Sequence, residues 1–377
     1  MDFLETETQT LLRETADRLV RDKYDFDARK KIVALPEGYS PDAWFEFANL
    51  GLLGVDAAEE HGGSGGSFAD LAVVLEAFGR GLVVEPYLSS IVLSAAALRA
   101  ADGGKNSELL AKLAAGETTM ALAYAEPGSG FDSAWVETTA KAEGSSFTLN
   151  GHKAVALGAD NSEYLLVSAR TAGAPGDAAG ISLFLIPRGA AGVTIRPCKL
   201  MDDRTAADIV LENVKVGADA LVGERDKALP VLEEALDRAT AAVCCEAVGA
   251  MNAVNLLTLD YLKTRQQFGR PIGKFQVLQH RMADMMMAEQ TARSMMALAI
   301  ANAENPDAKE RSKAISAAKV QVGNSGNIVG RGAIQLHGGI GMTDEYIAGH
   351  YFRRLTAIEK MFGDTDWHLA RFAALSR

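Results

Sequence analysis

The sequence predicts an α+β multidomain protein with an N-terminal helical domain (1–117), a central antiparallel β domain (118–224) and a C-terminal four-helix bundle (225–377). Three observations carry this. Up to residue 117, apolar residues return at helical spacing, as at Phe3, Leu11, Leu12, Ala16 and Leu19. From Glu117 the pattern changes to short strand-like runs punctuated by turn residues. From about Arg225, long helical patterns resume and continue to the end.

In the first stretch, 36–41 reads as a loop and 42–50 as a short helix. The run Glu-His-Gly-Gly-Ser-Gly-Gly-Ser at 60–67 is a connecting loop: it lacks the Lys-Ser/Thr of a phosphate cradle, and no strand precedes it. Helices follow at 68–78, 89–101 and 107–115. Strands are expected at 119–124, 136–142, 147–150, 164–169, 181–186, 193–196 and 208–216. Turns are expected at Glu143-Gly144, Asn150-Gly151 and Ala174-Pro175-Gly176. The last stretch reads as helices at 229–265, 275–303, 308–336 and 345–362, then a terminal helix at 365–375. Met282, Met285, Met286 and Met287 read as core packing.

Composition narrows the function. With 377 residues and 48% hydrophobic content, the chain can bury a large core. A net charge of −11 argues against nucleic acid or an anionic membrane as partner. The three cysteines, Cys198, Cys244 and Cys245, form neither a disulfide framework nor a metal spacing, so no metal is inferred. They fit a reducing, cytoplasmic setting. The acidic, polar start MDFLETETQT carries no signal-peptide pattern. The apolar stretch 239–259 contains Glu246, Asn252 and Asn255, and reads as a buried helix, not a membrane span.

Two stretches hold the densest chemistry. At 265–276 the chain reads RQQFGRPIGKFQ, where a helix stops at glycines and a proline and restarts at Phe275. Arg265 and Arg270 flank the stop, either as a phosphate clamp or as solvated arginines at a corner. At 335–346 it reads QLHGGIGMTDEY. A third stretch, Ala125-Glu126-Pro127-Gly128-Ser129-Gly130, follows a strand and forms either an ordinary turn or a nest of inward N–H groups.

Together these three stretches closely resemble the acyl-CoA dehydrogenases, over nearly the full length of the chain. The resemblance implies FAD as cofactor. It also implies α,β-dehydrogenation of an acyl-CoA to the trans-2-enoyl-CoA, with electrons passed to an electron-transfer flavoprotein. It implies a tetramer, built from one kind of subunit or two. Carried over by position, Tyr124, Ala125 and Gly130 contact the flavin, and Phe131 stands where a Ser is common. The second flavin-facing segment is 154–158, where Val155 and Leu157 replace the family's Trp and Thr. Arg265, Gln267 and Phe268 match residues that reach the adenosine diphosphate half of FAD across a subunit interface, and Gln335, Gly338 and Gly339 match the opposing cradle. His337 replaces a common Phe and reads as structural. Arg204, in the polar loop 201–205, is either a surface arginine or a contact for a CoA phosphate.

In the family, a Glu removes the α-proton from one of two positions. Here those positions are Phe362 and Ala239, and neither is acidic. Two carboxylates remain as candidates for the base. Asp364 is either a helix N-cap or the base. Glu246, alone among small and apolar neighbours, is either half of a buried ion pair or a base with a raised pKa. The Phe-Gly-Asp ending and the missing Trp resemble the divergent branch acting on steroid side chains, dicarboxylates or other bulky acyl-CoAs. Two rival readings follow: a non-catalytic partner subunit of a heterotetramer, and a flavin-dependent monooxygenase on the same fold.

Overall fold

A computed structural model describes residues 5–102 and 105–377. Phe3, assigned above to the first helix, lies outside the described residues. The N-terminal third forms α1 (Glu7–Lys23), α2 (Phe26–Val33), α3 (Pro41–Asn49) and α4 (Phe68–Gly81). A π-helical segment, Tyr87–Ala95, then runs into α5 (Ala96–Asp102), and α6 (Ser107–Ala114) follows. The starts obey capping chemistry. Thr6 and Gln9 form a capping box on α1, and Ser40 caps α3 with Pro41 in its first turn. The glycine loop before α4 is a connection. A side chain at Gly63 would collide with the backbone of Ala57, and Ser67 with Asp70 caps the helix that follows. The sequence pattern did not anticipate α2.

The central strands are β1 (Met120–Ala123), β2 (Thr139–Glu143), β3 (Ser146–Leu157), β4 (Tyr164–Arg170), β5 (Ile181–Pro187), β6 (Val193–Lys199), β7 (Thr205–Gly217) and β8 (Leu221–Val222). They form one sheet in the order β6-β7-β3-β2-β4-β5-β8, with β1 beside β4. The expected antiparallel pairing holds for most of it. The exceptions are β1, which runs parallel to β4, and the single parallel pair Thr139↔Arg170. The Asn150-Gly151 turn is corrected: both residues lie inside β3, which continues seven residues past the expected end at 150. Gly151 is needed because a Cβ there would strike Thr138, and Asn150 Oδ1 accepts a bond from Asn213 N at 2.8 Å. One face of the sheet buries Leu149, Val167, Phe184, Ile186, Ile209 and Val214.

The C-terminal part holds α7 (Leu229–Thr264), a two-residue ladder of β9 (Gln266–Gln267) and β10 (Arg270–Pro271), α8 (Gln276–Asn302), α9 (Ala308–His337), α10 (Ile347–Lys360) and α11 (Thr365–Leu375). α7 is long and apolar enough to cross a membrane, but most of its apolar window is buried in the fold. On α8, Met282 and Met285 enter the core, while Met286 and Met287 are exposed, correcting the reading of all four as core. Three consecutive helical residues span about 200° of arc at 3.6 residues per turn, so they cannot all face inward.

Two compact units result, and they do not follow chain order. One comprises Met1–Lys31, Ser67–Val83 and Thr240–Arg377, and the other Ile32–Gly66 and Val84–Ala239. Within the first, α4 and α7 touch backbone to backbone. A Cβ on Gly79 would fall against the carbonyl of Glu246, and one on Gly249 against the carbonyl of Glu76. Within the second, the sheet packs with the π-helical segment, whose Ser90 Oγ donates to Met120 O at 3.0 Å and accepts from Met120 N.

Candidate active site

The sheet unit brings two of the sequence-derived segments together. The backbone N–H of Ala154 donates to Ala125 O at 2.9 Å, joining the stretch with Tyr124 and Ala125 to the one with Val155 and Leu157. Gly128 and Gly130 have φ of +86° and +58°, and a Cβ on either would meet nothing within 4 Å. The loop backbone is therefore open to a flat partner. Ser129 is spent locally: its hydroxyl accepts from Glu126 N and donates to Glu126 O.

Val155 has φ +51° and is half exposed. A β-branched residue there is strained. The cause is a β-bulge, because Lys153 pairs with Ile209 but Ala156 with Ala207, so one extra residue bends β3. Asp208 steadies the bulge by accepting from Val155 N at 3.0 Å. Gly158 ends the segment at φ +68°, where a Cβ would come within 2.6 Å of Ser89 Oγ. Arg204 pairs with Asp202 in its own loop, at 3.3 Å.

Glu85, which sequence reasoning passed over, is buried just before the π-helical segment. One oxygen accepts from Ser40 N at 3.3 Å and the other has no hydrogen-bond partner. Burial pushes its pKa up to about 7, against the pull of backbone N–H groups and Arg204. The folded protein therefore binds this proton more tightly than the unfolded chain does. The stability it contributes is full below the unfolded value of about 4.3 and is lost as pH rises through about 7. Glu85→Gln should flatten the fall in melting temperature between pH 5.5 and 8, with little change at the acid end. An unaltered profile in the variant would contradict this.

In the helical unit, the expected break at 265–275 is a tight hairpin. Phe268 and Gly269, at φ +54° and +76°, make its two-residue loop. Arg265 and Gln267 are exposed, and Phe268 is 89% exposed. Arg270 is stacked on Phe275 at 4.3 Å, so of the two flanking arginines only Arg265 projects without such a stack. The end of α9 lies beside that of α7: the rings of Tyr261 and His337 are 4.6 Å apart. His337 packs between Tyr261 and Tyr346, Nδ1 bonded to Ala333 O, and burial lowers its pKa. It is a packing residue. Beyond it, Gly338 and Gly339 are exposed, with open space above each Cα. Gln335 lines a shallow groove of ≈ 380 Å³ with Arg281, Asp284, Asn327 and Arg331.

The two candidate bases occupy different environments. Glu246 is buried against Arg354, whose Nε and Nη2 donate to its two oxygens at 2.7 and 2.5 Å. Taking a proton from a substrate would neutralise Glu246 and leave the buried Arg354 charge without its counter-ion. Asp364 caps α11, accepting from Trp367 N at 2.9 Å, and lies 3.4 Å from Lys360 Nζ. The Trp367 N–H holds its carboxyl below the ordinary range. Its turn is pinned: Lys319 Nζ donates to the carbonyls of Glu359, Met361 and Gly363, and Phe362 is left-handed at φ +58°.

Known proteins share this architecture throughout. The acyl-CoA dehydrogenase N-terminal, middle and C-terminal domains match residues 6–117, 121–214 and 228–375. A 3-(aryl)acrylate reductase of Clostridium sporogenes is 32% identical, over 85% of this chain and 86% of its own. The probable acyl-CoA dehydrogenase YngJ of Bacillus subtilis is 31% identical, over 92% of each. Among solved structures, the Tcur3481-Tcur3483 steroid ACAD G363A variant superposes with a TM-score of 0.88 at 29% identity, over 98% of each chain. Matched in all three domains and by relatives above 30% identity, the chain belongs to the acyl-CoA dehydrogenase family of oxidoreductases.

Proposed function

We propose that the chain holds FAD and oxidises an acyl-CoA thioester between Cα and Cβ, its electrons leaving to an electron-transfer flavoprotein. The observation that carries this is the junction of the two ring-facing segments, with open glycines on one and the strained, exposed Val155 on the other. FAD would supply the hydride acceptor. Gly128 and Gly130 leave room for a ring edge beside backbone N–H groups, and Tyr124, Ala125, Val155 and Leu157 lie on the two segments that the Ala154–Ala125 bond joins. Gln335, Gly338 and Gly339 offer an uncluttered backbone to a pyrophosphate, with Arg265, Gln267 and Phe268 presented from the neighbouring hairpin. An apolar side chain as exposed as Phe268 fits a tetramer in which another subunit's cofactor covers it. The −11 charge and buried Cys244 and Cys245 fit a cytoplasmic enzyme.

For the α-proton, Asp364 is the better of the two carboxylates. It is ionised at neutral pH and sits two residues from the family's base position, whereas Glu246 is locked to Arg354. The likeness to a steroid acyl-CoA dehydrogenase favours a bulky acyl group. A second reading rests on Phe362 and Ala239 at the two base positions: the chain is the non-catalytic member of a heterotetramer, and an unlike subunit brings the base. Turnover with an artificial electron acceptor, followed by enoyl-CoA formation, separates the two. The first reading expects product from the chain alone, and loss of it in Asp364→Asn at unchanged stability, because Asn caps helices as well as Asp. Product only after co-expression with a related subunit supports the second.

A further inference from the structure

The ring-facing loop is closed by one carboxylate. Glu126 begins it, and its side chain reaches the far end, accepting from Glu137 N at 2.6 Å and Thr138 N at 3.0 Å. Residues 127–136, with both open glycines, are thus held between two ends tied to one group. Lys153 completes the arrangement. Its Nζ donates to Glu126 Oε1 at 2.6 Å, Ser168 Oγ at 2.9 Å and Tyr124 O at 3.3 Å. The three protons of the ammonium meet three acceptors, from the loop start, the loop carboxylate and β4. Lys153 is fully buried, and Glu126 nearly so.

The placement matters more than the energy. Lys153 stands two residues before Val155 and four before Leu157, on the same strand. Glu126 directly follows Ala125 and precedes Gly130. One rigid contact therefore fixes the spacing between the two segments. A buried ion pair is a poor source of net stability, since apolar residues of similar volume often do as well. Its distinctive yield here is geometric, because an apolar pair would fill the space without holding the loop's far end.

We infer that Lys153 and Glu126 are positioning residues for the flavin, their ion pair setting the register between the loop at 125–130 and the strand at 155–157. This rests on the FAD reading above.

The test is the double variant Lys153→Met/Glu126→Gln, which removes both charges and leaves neither orphaned. Apo-protein is titrated with FAD, and affinity is read from flavin fluorescence. Ring placement is read from the visible circular dichroism of the bound flavin, and stability from a thermal melt. The expected result is a folded variant with FAD affinity weakened about tenfold or more and an altered visible dichroism. A folded variant with wild-type affinity and dichroism overturns the inference. If the double variant fails to fold, Lys153→Arg decides. It keeps the charge pair but lengthens the reach, so altered dichroism supports the role and a wild-type spectrum overturns it. A wild-type chain that binds no FAD overturns both this inference and the flavin reading. Wild-type binding with unaffected variants overturns this inference alone.

Discussion

Replacing Arg354 by methionine should destabilise the protein by about 3–5 kcal/mol, because Glu246 would be left charged and unpaired in the core. Among the described residues Arg354 is the largest fully buried side chain, and its two bonds to Glu246 join α10 to α7. Proteins of this kind have only about 5–15 kcal/mol of net stability, so the loss would be plain in a denaturant melt. The double variant Arg354→Met/Glu246→Leu removes both charges and should recover most of the loss. If the single variant melts like the wild type, Glu246 is not held as described and returns as a candidate base.

The second large effect is expected from one added methyl group. Gly249→Ala puts a Cβ onto the Glu76 carbonyl, where α4 crosses α7. That obstacle is backbone, so no rotamer change relieves it and the helices must separate. The cost should be about 3 kcal/mol, at the upper end of the usual range for overpacking. The same separation would strain Glu246, one helical turn before Gly249 on α7. Far-ultraviolet dichroism should stay helical while the melt shifts down. A variant of wild-type stability would mean the crossing is looser than it stands here.

Most elements were legible because each carries its own local signal. The strand at 181–187 shows an apolar run bounded by turn residues, and the break after Thr264 shows glycine and proline. Contacts between distant residues were not legible. Nothing near Glu246 in sequence identifies Arg354, 108 residues away, as its partner. Nor does local pattern show that α1 and α4 join the C-terminal helices. Asn150-Gly151 looked like a turn because that pair usually is one; the close passage of Thr138, a tertiary fact, explains the glycine instead. Lys153 left a faint trace: it shares a strand face with buried Leu149, an inward position that a lysine almost never occupies without a partner. The open glycines were visible as residues, but only the fold shows that Ala125 and Ala154 meet.

The most direct measurement is the visible absorption spectrum of the chain purified alone, before and after anaerobic mixing with a panel of acyl-CoA thioesters. An FAD-dependent dehydrogenase should show a flavin spectrum that bleaches with at least one member of the panel, most strongly with a bulky acyl group. A colourless protein that takes up no FAD, or a bound flavin that no thioester reduces even when an unlike subunit is supplied, would contradict that function.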